Sequence, residues 1–143
     1  MSTAPDWFAT KFHLADLTVR RFAFWTLSVR PAQPTLGACV LSLNRPSAAW
    51  GETTPEENAE LATVIADIER RLKESFAYDK INYLMLMMVD PHVHFHVIPR
   101  YAETKQRYGL EWTDRAWPKP PDLSAGSVDA AVLEQIRRDL QSI

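Results

Sequence analysis

The chain has 143 residues, 46% of them hydrophobic, with 16 Lys and Arg against 18 Asp and Glu for a formal net charge of −2. That is enough for one domain with a real core and too little for two of ordinary size. The basic residues form no block, which excludes a large nucleic-acid or membrane-surface footprint, and the single cysteine excludes an internal disulfide or a cysteine-based zinc cluster. Asp6 is a candidate cap for a short helix burying Trp7 and Phe8. Residues 14–29 read as strand, with Leu17 and Val19 alternating and Ala23, Trp25, Leu27 and Val29 on one face. Arg30-Pro31-Ala32-Gln33-Pro34 breaks it. Residues 38–44 form a second strand that places Cys39 as a small buried residue, and Arg45-Pro46 stops it.

Thr54-Pro55-Glu56-Glu57 supplies a Thr cap, a proline at the first helical position and a glutamate able to close a capping box. The helix it starts carries Leu61, Val64, Ile65, Ile68 and Leu72 at helical spacing to about Phe76. Residues 81–89 are nearly all apolar, as for a central strand covered on both faces, and Met85, Met87 and Met88 read as core packing. Asp90-Pro91 then turns the chain. Residues 101–126, with Trp112, Trp117 and three prolines, have no periodicity and read as an irregular lid or tail segment. Trp112 and Trp117 would either fold over a site or cover a partner. Ser127 would cap a last helix in 127–143 that presents Val132, Leu133, Ile136 and Leu140 on one face. No apolar run approaches the ~20 residues of a bilayer span. Residues 1–6 lack a charged stretch followed by an apolar one, so a single-domain cytoplasmic protein is expected.

The most informative segment is His92-Val93-His94-Phe95-His96-Val97-Ile98. Three histidines at i, i+2 and i+4 on a strand share one face, with apolar side chains behind them. Four histidines scattered at random would produce this spacing in roughly one chain in a thousand, so the row should be a site. It could be a solvated strand face or a metal site, since imidazoles at i and i+2 can chelate zinc. It could also be a nucleophile acting on phosphate, because neutral imidazole attacks at neutral pH while its neighbours donate hydrogen bonds to developing charge. His94, with an imidazole on either side, is then the natural nucleophile. His13, the only other histidine, reads as an ordinary residue.

The segment resembles the signature of the HIT (histidine triad) family, His-φ-His-φ-His-φ-φ with φ apolar, and it matches at every position. The order of strands, helix, strand and triad strand over residues 22–100 extends the resemblance. It implies an α+β, HIT-like fold, with a five-stranded antiparallel sheet, a long helix and a C-terminal helix, pairing as a homodimer into a ten-stranded sheet. It implies nucleotide hydrolysis or nucleotidyl transfer at the α-phosphate of a dinucleoside polyphosphate or nucleoside phosphoramidate, with a purine nucleotide or dinucleotide as substrate. His94 would form a nucleotidyl-histidine intermediate, oriented and assisted by His92 and His96. The protein would need no cofactor or metal of its own, any magnesium arriving with the substrate's phosphates.

The chain also departs from the family pattern. Ala38 stands where many members place a fourth histidine, Met88 replaces a common glutamine, and Asp90-Pro91 replaces a glycine-rich loop. Arg30 falls near the usual ribose-binding position. Asn82 and Arg100 are further candidates for nucleotide contact, each with a structural alternative at a strand end or in an ion pair. A nucleotide sensor with little turnover and a metal-dependent hydrolase are the competing readings.

Overall fold

The computed structural model of the chain describes residues 3–143. Met1 and Ser2, part of the segment read for a targeting signal, lie outside the described residues. Two short helices, α1 (Asp6–Lys11) and α2 (Leu14–Leu17), lead into β1 (Thr18–Arg21), β2 (Trp25–Val29) and β3 (Cys39–Leu43). The long helix α3 (Pro55–Phe76) follows, then β4 (Lys80–Leu84), β5 (His94–Arg100), a hairpin of β6 (Lys105–Arg107) and β7 (Leu110–Trp112), and α4 (Ala130–Gln141). The main sheet has the order β1-β2-β3-β5-β4, with every neighbouring pair antiparallel. None of the described helices is long and apolar enough to cross a membrane.

Strand periodicity divides that sheet into two unlike faces. Trp25, Leu27, Val29, Cys39, Leu41, Leu43 and Val97 face the main core, which Val64, Ile68 and Leu72 of α3 and Leu133, Ile136 and Leu140 of α4 complete. The thiol of Cys39, buried here, is pushed up to about 12 by loss of solvent. Across the sheet, the intervening residues Thr26, Ser28, Val40 and Ser42 stand in register beside His94 and His96. Phe8 of α1 and Phe12, the residue that ends it, cover that second face and cluster with Val40.

The capping box holds as read. The Glu57 amide donates to Thr54 Oγ1 and the Thr54 amide to Glu57 Oε1, with Pro55 at the first helical position. The same Glu57 carboxylate accepts two bonds from Arg45, whose guanidinium holds it below the usual carboxylate range.

Several expectations are corrected. Pro5, not Asp6, is the cap position of α1, and Trp7 is exposed while Phe8 is fully buried. The stretch 14–29 is not one strand: a helical turn, α2, precedes a β1–β2 hairpin that reverses at 22–24. Residues 81–89 do not form a central strand. β4 stops at Leu84 and pairs with β5 alone at the sheet's edge, and Leu86, Met88 and Val89 are exposed. Ile81, Tyr83, Met85 and Met87 do pack on the core, so alternate residues face inward as a half-covered strand requires. Apolarity on both faces was therefore no proof of cover on both. Ser127 does not cap α4; it bridges to Ala32, and Asp129 occupies the cap position. The 101–126 segment contains the β6–β7 hairpin, and it buries Trp112 in the core, its indole donating to the Arg107 carbonyl.

Candidate functional site

His94 and His96 lie on β5, but His92 precedes the strand in a bend, so the triad is not a uniform strand row. Backbone bonds from Leu43 N–H to the Val93 carbonyl and from Val93 N–H to the Ser47 carbonyl fasten this bend to the end of β3. All three imidazoles are buried, His92 completely and His94 at 2% exposure. Phe8 meets His92 and His94 edge-on at ring centroid distances of 4.8 and 5.0 Å. Phe12 lies 5.8 Å from His94 and 6.2 Å from His96. His94 and His96 are themselves edge to face at 5.0 Å.

The partners of each ring fix its proton. A carbonyl oxygen can only accept, so the ring nitrogen bonded to it carries the hydrogen. His92 Nε2 donates to the Leu43 carbonyl at 2.9 Å, and its Nδ1 faces the Ser47 amide at 3.5 Å. Both edges of His92 are thereby engaged with backbone. His94 Nδ1 donates to the His92 carbonyl at 2.5 Å, which leaves Nε2 of His94 with a free lone pair. His96 shows the reverse pattern. Its Nδ1 accepts from Arg30 Nε at 3.2 Å, and its neutral ring therefore bears hydrogen on Nε2. Burial depresses all three histidines, and burial together with the Arg30 charge lowers His96 to about 4. At neutral pH the site thus presents an uncharged nucleophilic nitrogen on His94 and a hydrogen-bond donor on His96.

Arg30, read as a candidate at the ribose position, lies against the histidines. Its three donor nitrogens reach His96, the Ala32 carbonyl and the Leu123 carbonyl. Three residues past Leu123, the chain is tied to the loop after β2, the Gln33 backbone N–H donating to the Gly126 carbonyl at 2.6 Å. Gly126 has φ +103, and a Cβ on it would sit 2.0 Å from the Gln33 carbonyl oxygen, so only glycine fits. Part of the irregular segment thus fixes Arg30.

Asn82 and Arg100 are not brought to the histidines. Arg100 is buried in a two-point ion pair with Asp114 at 2.7 and 3.1 Å and also donates to Asn82 Oδ1 and the Lys119 carbonyl. It lies four residues past His96, roughly 14 Å along the strand, in a groove shared with Trp117. The structural alternative raised for each residue is the one realised. His13 is exposed at the left-handed corner between α1 and α2.

A cavity of about 380 Å³ opens over His94 and His96, between Phe12 at the end of α1, the residues just past β2 and the loop 86–90. Lys11 and Asp90, paired at 2.6 Å, close one rim. Phe8, Phe12, Lys11 and Leu123 were not read as site residues. The i, i+4 spacing of the two phenylalanines was the available signal, but nothing local told which sheet face α1 would cover. Among the described residues no group of three or more His, Cys, Asp or Glu is arranged to hold a metal ion.

The model of the HIT domain family matches residues 26–103, more than half of the chain, and the chain belongs to the HIT family. Solved structures with the same fold include a histidine triad (HIT) protein from Sinorhizobium meliloti 1021, 16% identical, covering 96% of this chain and 94% of that one with a TM-score of 0.72. A histidine triad protein from Marinobacter aquaeolei VT8 is 20% identical over 93% of this chain and 91% of its own, with a TM-score of 0.71. One from Bradyrhizobium japonicum is 22% identical over 91% and 92%, with a TM-score of 0.67. No curated protein matches the chain.

Proposed function

We propose that this single-domain HIT protein is a nucleotide hydrolase or nucleotidyl transferase that acts at the α-phosphate of a phosphoanhydride or phosphoramidate, with His94 as nucleophile. The observation that carries the reading is the bond from His94 Nδ1 to the His92 carbonyl, which leaves Nε2 unprotonated beside the cavity. In this mechanism Nε2 attacks phosphorus, the bond to the leaving group breaks with its electron pair, and water or another acceptor then releases the nucleotidyl group from the histidine. His96 Nε2–H and the Arg30 guanidinium stabilise charge on the phosphoryl oxygens. His92 acts through its carbonyl and its packing. Asn82 and Arg100 brace the sheet rather than bind nucleotide. Homodimerisation through the free edge of β4 completes the reading, since an unpaired strand edge invites a second copy. Light scattering should then give about twice the 16.3 kDa chain mass.

The test is a panel of diadenosine polyphosphates, nucleoside phosphoramidates and other nucleotidyl anhydrides, separated by chromatography. Turnover that His94→Ala removes supports an enzyme, and turnover abolished by chelator and restored by stoichiometric zinc contradicts the metal-free mechanism. A sensor with little turnover is the second reading, favoured by Ala38 in place of a further histidine. Tight binding without product formation across the panel would establish it.

A further inference from the structure

The roof over the histidines is fastened less firmly than the sheet beneath it. Among the described residues, the backbone bonds of residues 5–13 all stay within 5–17, so no strand ladder ties α1 to the sheet. Phe8 and Phe12 pack with Val40 in a cluster apart from the main core. Among the same residues Lys11–Asp90, at 2.6 Å, is the one ion pair of α1. Few buried apolar contacts and a partly exposed ion pair are the marks of a segment that opens locally.

The helix also has a joint. His13, between α1 and α2, holds φ 53 and ψ 44, in the left-handed region that residues other than glycine rarely occupy. Beyond it α2 is anchored by Leu17, which is buried in the main core. A change of backbone angles at this one residue moves α1 as a unit and leaves α2 and the sheet in place, as hinges at element ends do.

What α1 covers calls for such a movement. Attack on phosphorus needs the reacting atoms in line and about 3–3.5 Å apart. Yet His94 is 2% exposed, and the Phe8 and Phe12 ring centroids lie 5.0 and 5.8 Å from its own. The cavity of about 380 Å³ beside it is at the small end of the ~300–1,000 Å³ that ligand sites span, and Lys11 and Phe12 are themselves part of its wall. The same roof keeps Ser42 Oγ, beside His94 in the sheet, buried with no hydrogen-bond partner among the described residues. Admitting water or a substrate oxygen would relieve that cost.

We propose that α1 is a lid, swinging about His13 to admit substrate and closing again over the histidines, with Lys11–Asp90 as its latch. This rests on the reading of His94 as the reacting residue and adds the motion that gives a nucleotide access to it. Closed, Phe8 and Phe12 keep water from the imidazoles. Open, Val40 and Ser42 of β3 meet solvent while the main core stays intact.

The experiment reads opening without any substrate. Val40→Cys and Ser42→Cys, made separately in the full chain and each shown to unfold cooperatively, place a thiol beneath the roof. The probe is a maleimide carried on a polyethylene glycol chain too bulky for the cavity. Cys39, next to Val40 in β3 but buried in the main core on the other face, reports unfolding of the whole chain. Each introduced thiol should react on the order of 100-fold or more faster than Cys39. Adding Asp90→Asn should speed it by about two- to fivefold, the range for loss of an exposed ion pair. A second arm locks the lid. Lys11→Cys/Asp90→Cys joined by short bismaleimides should lose turnover of the nucleotide panel by about 100-fold or more against the same variant capped with N-ethylmaleimide.

Equal reaction rates at the introduced thiols and Cys39 overturn the lid. So does a double variant that no bismaleimide joins, because its two positions then never meet, and so does a cross-linked protein with the turnover of the capped one. A parent chain that turns over no nucleotide overturns the reading of His94 instead, and the thiol rates still decide whether α1 opens.

Discussion

The two faces of the central sheet are buried to nearly the same degree and do opposite things. On one, Trp25, Leu27, Leu41, Leu43 and Val97 meet α3 and α4, and the apolar area removed from water supplies the stability of the fold. On the other, the hydroxyls of Thr26, Ser28 and Ser42 are buried beside His94 and His96, whose rings meet Phe8 of the six-residue helix α1 and Phe12 at its end. Ser42 Oγ, beside His94 in the sheet, has no hydrogen-bond partner among the described residues. Burying such groups costs free energy wherever their bonds are incomplete. Burial on the second face keeps water from the imidazoles, engages their ring nitrogens and lowers their affinity for a second proton, which is what the proposed chemistry requires.

Substitutions on the second face should break function while sparing the fold, and the largest effect is at His94. His94→Ala should lower turnover on the order of 10⁴-fold or more in steady-state kinetics, with cooperative unfolding retained. Arg30→Gln should come next. It removes the proposed phosphate ligand and the donor to His96 Nδ1, for an expected loss of about 10²- to 10³-fold in kcat. It should also raise the titration midpoint of His96 in an NMR pH series, because the charge that lowers it has gone. A purely structural role for Arg30 would leave that midpoint where it is.

The first face should respond the other way. Ile68→Ala, fully buried in the main core, should cost about 2–5 kcal/mol in denaturant unfolding and leave kcat of the remaining folded protein near the parent's. An Ile68→Ala variant that kept its stability but lost activity would collapse the distinction between the faces.

A titration sharpens the comparison further. His96 is held at about 4 in the folded chain against an ordinary 6.5, so between those values the unfolded state binds more protons. Stability is therefore complete above about pH 6.5 and falls as pH drops toward 4, by roughly 3 kcal/mol from this residue at most. His92 and His94 act in the same direction. His96→Gln should flatten the pH dependence of unfolding in that window. The smallest effect belongs to Lys11→Ala at the rim: an exposed pair with Asp90 is worth about 0–1 kcal/mol, and the melting temperature should barely move.

How much of this was legible follows the same division. β3, α3 and the apolar stripe of α4 could be read because each carries a local code: a mostly apolar run at 38–44 stopped by Arg45-Pro46, a capping box at Thr54, and helical spacing from Val132 to Leu140. The histidines could be read because their spacing is rare. What failed depended on long-range placement. Residues 81–89 are apolar on both faces, yet their edge position is decided by which strand enters beside β5, something no local window records. Arg100 was a candidate phosphate ligand until Asp114, fourteen residues on, took its guanidinium. The roof of Phe8 and Phe12 went unread as part of the site because a six-residue helix carries too little pattern to show what it will cover.

The central claim is that His94 Nε2 forms a covalent bond to the α-phosphorus of a nucleotide. It is tested most directly by mixing the protein with a turned-over nucleotidyl substrate, quenching in alkali where phosphorus–histidine bonds survive, and locating the adduct by peptide mass spectrometry. A nucleoside monophosphate mass addition on His94, formed and lost at rates matching turnover and missing from His94→Ala, is the predicted result. Turnover with no adduct, or with the adduct on His92 or His96, would contradict it.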